Sequence, residues 1–600
     1  MVIFNSIYYN NRSNKIHLVE TIGGERVKYD DYYENTYYLP DPTGNSDITD
    51  IYGNSVIKKV ASHKDEIKNL KDIYVQLSES DIDPATKFLQ QRYGNVDLKA
   101  RISDFNIAYI DIEISVESEF PKPEEAKFPI NLISVKSTKT GKMSTFGLFE
   151  YTGDSKLVED YHYCADELDL LKAFARWFRK QKFDIITGWN VDRFDMMYIM
   201  NRIDVLAGEG SGIQLSFSPY NKTIKKRNGL WQIAGISTLD YLDLYKNFTF
   251  VTEESYTLQA IGVKITGKGK IDLDGQINTM YKTDWNKFVE YNIVDVKLVE
   301  DIDNVLHFME LAITFCYQAL IPFDKIFSSI ATIEGYILRH LHKKNMVMPD
   351  RKTRSQDWWY NEGHYNKRND KNEIVERQNI NADNEIYEKY VKGGYVEANK
   401  GFYKDVLSFD VTSLYPHMII QYNISPETKV IKPTGNTDHL IESEINQVYY
   451  KKGMGILPEI VESIFKERKA FKQEMFKHKK GSLEYGENDR NQHVRKILIN
   501  SMYGVLINEY FHFYDVDNAR AITRGGRVLI KFLGNHSEDW LNGNFTNKVA
   551  PKLFDDYSIE FETGEVKMYK GYHKVKVIRN SKPMDILLYQ LKITDDVISL

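Results

Sequence analysis
The sequence predicts a multidomain chain of α/β and α+β character, on three observations. Its 600 residues exceed what one hydrophobic core holds. From Phe105 to about Leu311, apolar strand patterns alternate with helical stretches such as Glu167–Lys180. Further on, 459–480 and 492–507 read as two helices flanking the turn-like "GSLEYGENDRN" (481–491), an antiparallel hairpin.

The elements follow in order. Residues 1 to about 105 are rich in Tyr, Asn and Asp, with short β-like runs. "IAYIDIEIS" (107–115) is a strand, and alternation sets Asp111 and Glu113 on one face. "ITGWNVDRFDMMYIMNRI" (186–203) places Asn190 and Asp195 where a strand gives way to an apolar helix. "KTIKKR" (222–227) carries four basic residues in six, and Asn228-Gly229 after it signals a type I′ hairpin. "FVEYNIVDVKLVE" (288–300) is a helix with Tyr291 and Asp295 on one face. Residues 351–389 read as a loop-rich connection, and "YVKGGYV" (390–396) opens a new block. Pro458 fits a helix start, and seven Lys/Arg with three Glu lie between Val461 and Lys480.

Composition narrows the function classes. Hydrophobic content is 42% and charged content 27%, with no run of 18 apolar residues and no charged-then-apolar leader, so a membrane span or secretory signal is not expected. Cys164 and Cys316 are too few for a disulfide framework or a four-thiolate metal site, which suits a reducing cytoplasm. The net charge of −6 argues weakly against a wholly basic nucleic-acid binder, so local charge matters more.

Two acids on one face of an apolar strand repel unless a cation sits between them; a strand end with exposed acids is the plainer alternative. Together, Asp111, Glu113, Asp195 and Asp295 can hold two divalent metals, with Tyr291 orienting a water. Oxygen-only ligands suit Mg²⁺ or Mn²⁺. The ordered set D-x-E, N-x3-F-D, Y-x3-D resembles the 3′–5′ exonuclease domain of family B DNA polymerases, T-even-like phage enzymes above all. The resemblance implies a ribonuclease H-like domain in which the four acids bind the metals. It also implies that Lys225, Lys226 and Arg227, on the hairpin before "GISTLDYLDLYKNF" (235–248), help separate a mispaired primer end.

"LSFDVTSLYPHMII" (407–420) reads as an apolar strand ending on Asp410, followed by a turn. The carboxylate and the Val411 carbonyl can ligate Mg²⁺, and Ser413, Leu414 and Tyr415 offer backbone N–H groups to a triphosphate. A core strand with one satisfied Asp is the alternative. The motif resembles the family's D-x-x-S-L-Y-P, which implies that Tyr415 excludes a 2′-hydroxyl. "KILINSMYG" (496–504) resembles K-x3-N-S-x-Y-G; Lys496, Asn500 and Tyr503 share a helical face, and Tyr503 with Gly504 would line the nascent base pair. Arg468 and Lys472, four apart, match the fingers cations that grip the phosphates. Gly393 and Gly394 match the family's Gly-rich link, which tracks the template.

The resemblance covers about 100–542, with a weaker match before that, and implies these parts: an N-terminal domain (1–105, with 312–380), the exonuclease (106–311), a first palm part (381–454), fingers (455–508) and a palm continuation (509–543). Residues 544–600 read as a divergent β-rich tail, a docking or faintly intein-like segment. The family's second palm acid, in an Asp-Thr-Asp hairpin, does not occur; "YDVD" (514–517) matches a stretch that is not catalytic there. The expectation is therefore a polymerase with proofreading nuclease whose palm and thumb a second polypeptide completes. A splicing element or a truncated gene would also explain the ending. Primer–template DNA, deoxynucleoside triphosphates and two Mg²⁺ (or Mn²⁺) per site are the expected partners, with a sliding clamp reached through the second chain. The rivals are a stand-alone exonuclease with a vestigial palm and a DNA-binding scaffold without catalysis.

Overall fold
Asp111 lies near the end of the strand Ile107–Ile114, at the middle of a six-stranded mixed sheet. In this computed structural model the described residues are those outside 1, 62–65, 68, 71–76, 97, 116–120, 155, 216, 250, 271–276, 353–365, 369–373, 378–393, 396–400, 402–410, 412, 432, 434, 436–439, 443–447, 540–556, 562–571, 580–581, 590–591, 595–596 and 600. The chain forms two compact units: Met1–Thr353 with Glu462–Tyr514, and Arg354–Val461 with Asp515–Leu600.

In the first unit, the sheet runs in the order Ser237–Thr238, Ile185–Thr187, Ile107–Ile114, Ile130–Ser137, Met143–Gly147, Asp160–Tyr163. The strand Ile107–Ile114 pairs parallel with Ile185–Thr187 and antiparallel with Ile130–Ser137. The helices Glu167–Gln181 and Asp195–Ala207 contribute Phe174, Phe178, Ile199 and Ile203 to the core against this sheet. The helix Trp285–Leu306 is pinned by buried Asp303, which accepts from the Tyr109 and Tyr241 hydroxyls at 3.0 and 2.9 Å. The strands Val2–Asn10, Lys15–Ile22 and Glu25–Tyr32 form a separate antiparallel sheet.

Two local expectations change. The segment 481–491 is not a turn: the helix Leu483–Leu506 begins inside it. Ser482 caps it by accepting from the Tyr485 N–H at 3.2 Å, which satisfies a first-turn donor. Asn488 and Asn491 bond back to the carbonyls four residues earlier, so polar residues that suit turns are held in the helix. The connection is 476–482, after the helix Ile456–Met475. The basic hairpin also differs. Between Thr223–Lys225 and Trp231–Ile233, the Gly229 N–H meets the Lys226 carbonyl and Lys226 N–H meets Leu230. Only Gly229 has positive φ, +85°; Asn228 does not. This is a three-residue loop with a left-handed Gly, not type I′, which needs positive φ at both central residues.

In the second unit, the helices Leu414–Gln421 and Val516–Asp539 pack closely. Gly525 permits it, since a Cβ there would lie 2.7 Å from the Tyr422 ring. Asp515 and Asp517 of "YDVD" are buried and hold the Lys429 ammonium at 2.5 and 3.3 Å; Asp515 also accepts from the Asn518 N–H. The start of the helix Ile456–Met475 is fixed by Glu427 and Ser425, which accept from the Ile456 and Leu457 N–H groups. Backbone strands of the tail, Tyr557–Phe561, Tyr572–Arg579 and Lys582–Tyr589, form one antiparallel sheet.

Candidate active sites
Three elements deliver the first carboxylate cluster. Alternation along Ile107–Ile114 presents Asp111 and Glu113 together, and Asp295 comes from Trp285–Leu306; their oxygens lie within 4.8 Å of one another. Asp195 opens its helix, is buried, and accepts from the Ile112 N–H at 3.0 Å. The loop before it is tightly held. A Cβ at Gly188 would lie 2.5 Å from the Ile110 carbonyl oxygen, and Asp240 accepts from the Asn190 and Asp192 N–H groups, both at 3.1 Å.

The electrostatics fit a cation. Burial first, then the Asp295 charge, pushes the Asp111 carboxyl up to about 8. Glu113 and Asp195 are raised well above the carboxylate range, by burial and then by the Asp111 charge. Asp295 is raised by burial, against the opposing pull of Lys270. Crowded acids that resist ionisation together mark a site built to be neutralised by positive charge. Asp295 Oδ1 is buried and has no hydrogen-bond partner among the described residues.

Two contributors escaped the sequence reading. Lys270 ion-pairs with Asp295 and reaches the Tyr291 hydroxyl at 3.2 Å. Its Gly-rich surroundings carry no local signal. Asn292 donates to Asp111 at 2.6 Å; lying three residues before Asp295 on the same helix, it was findable from spacing. Tyr291, expected to orient a water, lies beside Lys270, and its hydroxyl is raised to about 12, chiefly by burial. The hairpin cations Lys225, Lys226 and Arg227 are all exposed, and the Lys225 ammonium donates to Asn201 Oδ1 at 2.8 Å and lies over the Trp231 ring.

The second set of expected residues is divided. Asp410 and Gly393 lie outside the described residues. Val411 is described, and Ser413 adopts left-handed φ of 53° as the N-cap of Leu414–Gln421, so Leu414 and Tyr415 provide first-turn amides. A Cβ at Gly394 would lie 2.8 Å from the Tyr415 hydroxyl, which puts the Gly-rich link beside that ring. Arg468, Lys472, Lys496, Asn500, Tyr503 and Gly504 all belong to the other compact unit, on the two hairpin helices. Arg495 clasps those helices together. It bonds Glu467 at 2.8 Å and stacks on Phe471, leaving the neighbouring Arg468 and Lys496 on an adjacent face.

Comparison with known proteins bears on both sites. Residues 67–261 match the family model "DNA polymerase family B, exonuclease domain", and residues 323–568 match "DNA polymerase family B". The latter match extends past residue 543, where the resemblance was expected to stop. The DNA-directed DNA polymerase of Escherichia phage RB69 is 27% identical over 87% of this chain and 65% of its own length. That of Enterobacteria phage T4 is 28% identical over 83% of this chain and 62% of its own length. The chain thus spans less than two thirds of each of these relatives. A solved family B DNA polymerase from the archaeon Pyrobaculum calidifontis shares the fold, with a TM-score of 0.65 at 16% identity, over 98% of this chain and 80% of the other. Two models of one family, set one after the other along the chain, and phage relatives that align over most of it, place this chain in the family B DNA polymerases.

Proposed function
We propose that the chain hydrolyses 3′ ends of DNA at the cluster of Asp111, Glu113, Asp195 and Asp295, and that it contributes fingers and part of the palm to templated deoxynucleotide addition. The observation that carries the nuclease reading is the convergence of three carboxylates within 4.8 Å beside a fourth, with Asp295 Oδ1 lacking a partner among the described residues. The all-oxygen donor set fits Mg²⁺ or Mn²⁺, two per site. When bound, such ions neutralise the acids and lower the pKa of a ligand water. The chain's own groups do the rest. Asn292 fixes the Asp111 carboxylate, the Ile112 N–H fixes Asp195, and Lys270 holds Asp295 and the Tyr291 hydroxyl in one cluster. In this reading Tyr291 orients the attacking water, and Lys226 and Arg227 meet the displaced strand.

On the polymerising side, Arg468, Lys472 and Lys496 offer a triphosphate three cations, and Asp410 with the Val411 carbonyl a metal position. Tyr415 acts as sugar gate, and Tyr503 with Gly504 lines the base pair. No Asp-Thr-Asp motif occurs in the 600 residues. The second palm acid must therefore come from elsewhere, as further residues of a longer protein or as a second polypeptide that also brings thumb and clamp contacts. Host cytoplasm is the compartment that suits this work.

Two measurements test the reading. Alanine at Asp111 with Glu113 should abolish hydrolysis of a labelled single-stranded oligonucleotide from its 3′ end; full retained activity would sink the nuclease assignment. Primer extension by the pure 600-residue chain should be absent or very weak. Robust extension would refute the need for an outside acid. Restored extension on adding a second polypeptide bearing Asp-Thr-Asp would identify its source.

A further inference from the structure
The hairpin carries one titratable group more than the fingers reading uses. The helix Leu483–Leu506 turns roughly 100° per residue, so Asp489, His493, Lys496 and Asn500 project within an arc of about 60°. Arg468 faces them from the helix Ile456–Met475, and its buried Nε–H has no acceptor among the described residues. An open guanidinium N–H of this kind costs free energy that an anion would recover.

His493 is half-buried beside these cations. Burial first, then the Lys496 ammonium and the Arg468 guanidinium, hold its imidazole below the ordinary histidine range, with Asp489 opposing. Phosphate charge arriving on this face cancels the repulsion from both cations and favours the imidazolium.

We propose that His493 is a further phosphate-binding residue of this face: neutral in the free chain, it takes one proton from solvent as a nucleotide triphosphate binds and donates an N–H to a phosphate oxygen. No bond of the nucleotide changes in this step; the imidazole nitrogen gains the proton and returns it when the polyphosphate leaves. The inference rests on the reading of Arg468, Lys472 and Lys496 as the triphosphate face.

Calorimetric titration of the full chain with inorganic tripolyphosphate, in two buffers of different ionisation heat, tests it. Wild type should take up about one proton more per ligand near pH 7 than His493→Gln. The Gln variant should bind roughly tenfold more weakly at pH 6 and equally at pH 8.5. His493→Arg keeps a fixed cation, so it should retain affinity at both pH values without the extra proton, which also controls for folding. Lys496→Ala should weaken binding throughout. If Lys496→Ala weakens binding while His493→Gln matches wild type in affinity and proton uptake, this inference is overturned and the face stands. If Lys496→Ala binds like wild type, the reading of the face fails, and the inference with it.

Discussion
Lys270 is the single cation that the described structure sets among the clustered acids Asp111, Glu113, Asp195 and Asp295. Its ammonium pairs with Asp295, and the side chain is 28% exposed, so water screens part of the interaction. Lys270→Ala should leave four acids with no fixed counter-charge and destabilise the ion-free chain by about 1–2 kcal/mol. Urea unfolding in EDTA should show that loss, and Mg²⁺ should restore most of it. An equal loss with and without Mg²⁺ would mean that Lys270 acts on packing rather than on the cluster. The pairs Asp111–Glu113 and Tyr291–Asp295 were legible in the sequence, because two-residue and four-residue spacings fix which side chains share a face, and Asp195 entered through the motifs of the family resemblance. Lys270 was not legible, because it meets Asp295 from a segment whose own residues imply nothing about direction.

Among the elements, the pairing of Leu414–Gln421 with Val516–Asp539 depends on a glycine in the middle of a helix. Gly525 costs helix propensity but admits the Tyr422 ring. Gly525→Val should force the two helices apart at a cost of about 1–3 kcal/mol. Hydrogen exchange of the 414–421 amides should rise; unchanged protection would show that Tyr422 simply swings away. Sequence patterning recovered the hairpin helices but misread the stretch joining them. Gly, Glu, Asn and Asp between 481 and 491 have turn chemistry, yet a serine cap and two back-bonded asparagines keep 483 onward helical. Propensity is a weak prior when capping and packing oppose it.

At the scale of the whole molecule, distant segments of the first unit meet at His512. Its Nε2 contacts Asp81 at 2.9 Å, and its Nδ1 and backbone N–H both contact Glu334. The two carboxylates, working against the cost of burial, raise the imidazole pKa to about 9. The folded value exceeds the unfolded one of about 6.5, so the contribution is fully present below that pH and is lost as pH rises through 9, about 3 kcal/mol in all. His512→Gln should flatten the stability profile across this window, as urea midpoints at pH 6, 7.5 and 9 would reveal; a persisting slope would assign it to other groups. By itself the sequence determined the α/β character and the acid pairs, because these rest on patterning within single elements, and its ordered motifs carried the family resemblance. Only the tertiary structure decided which distant groups complete them: Lys270 on Asp295, Asp240 beneath the 188–194 loop, and His493 beside Arg468. Those contacts depend on the path of the chain through space, and residues many positions apart carry no local trace of it.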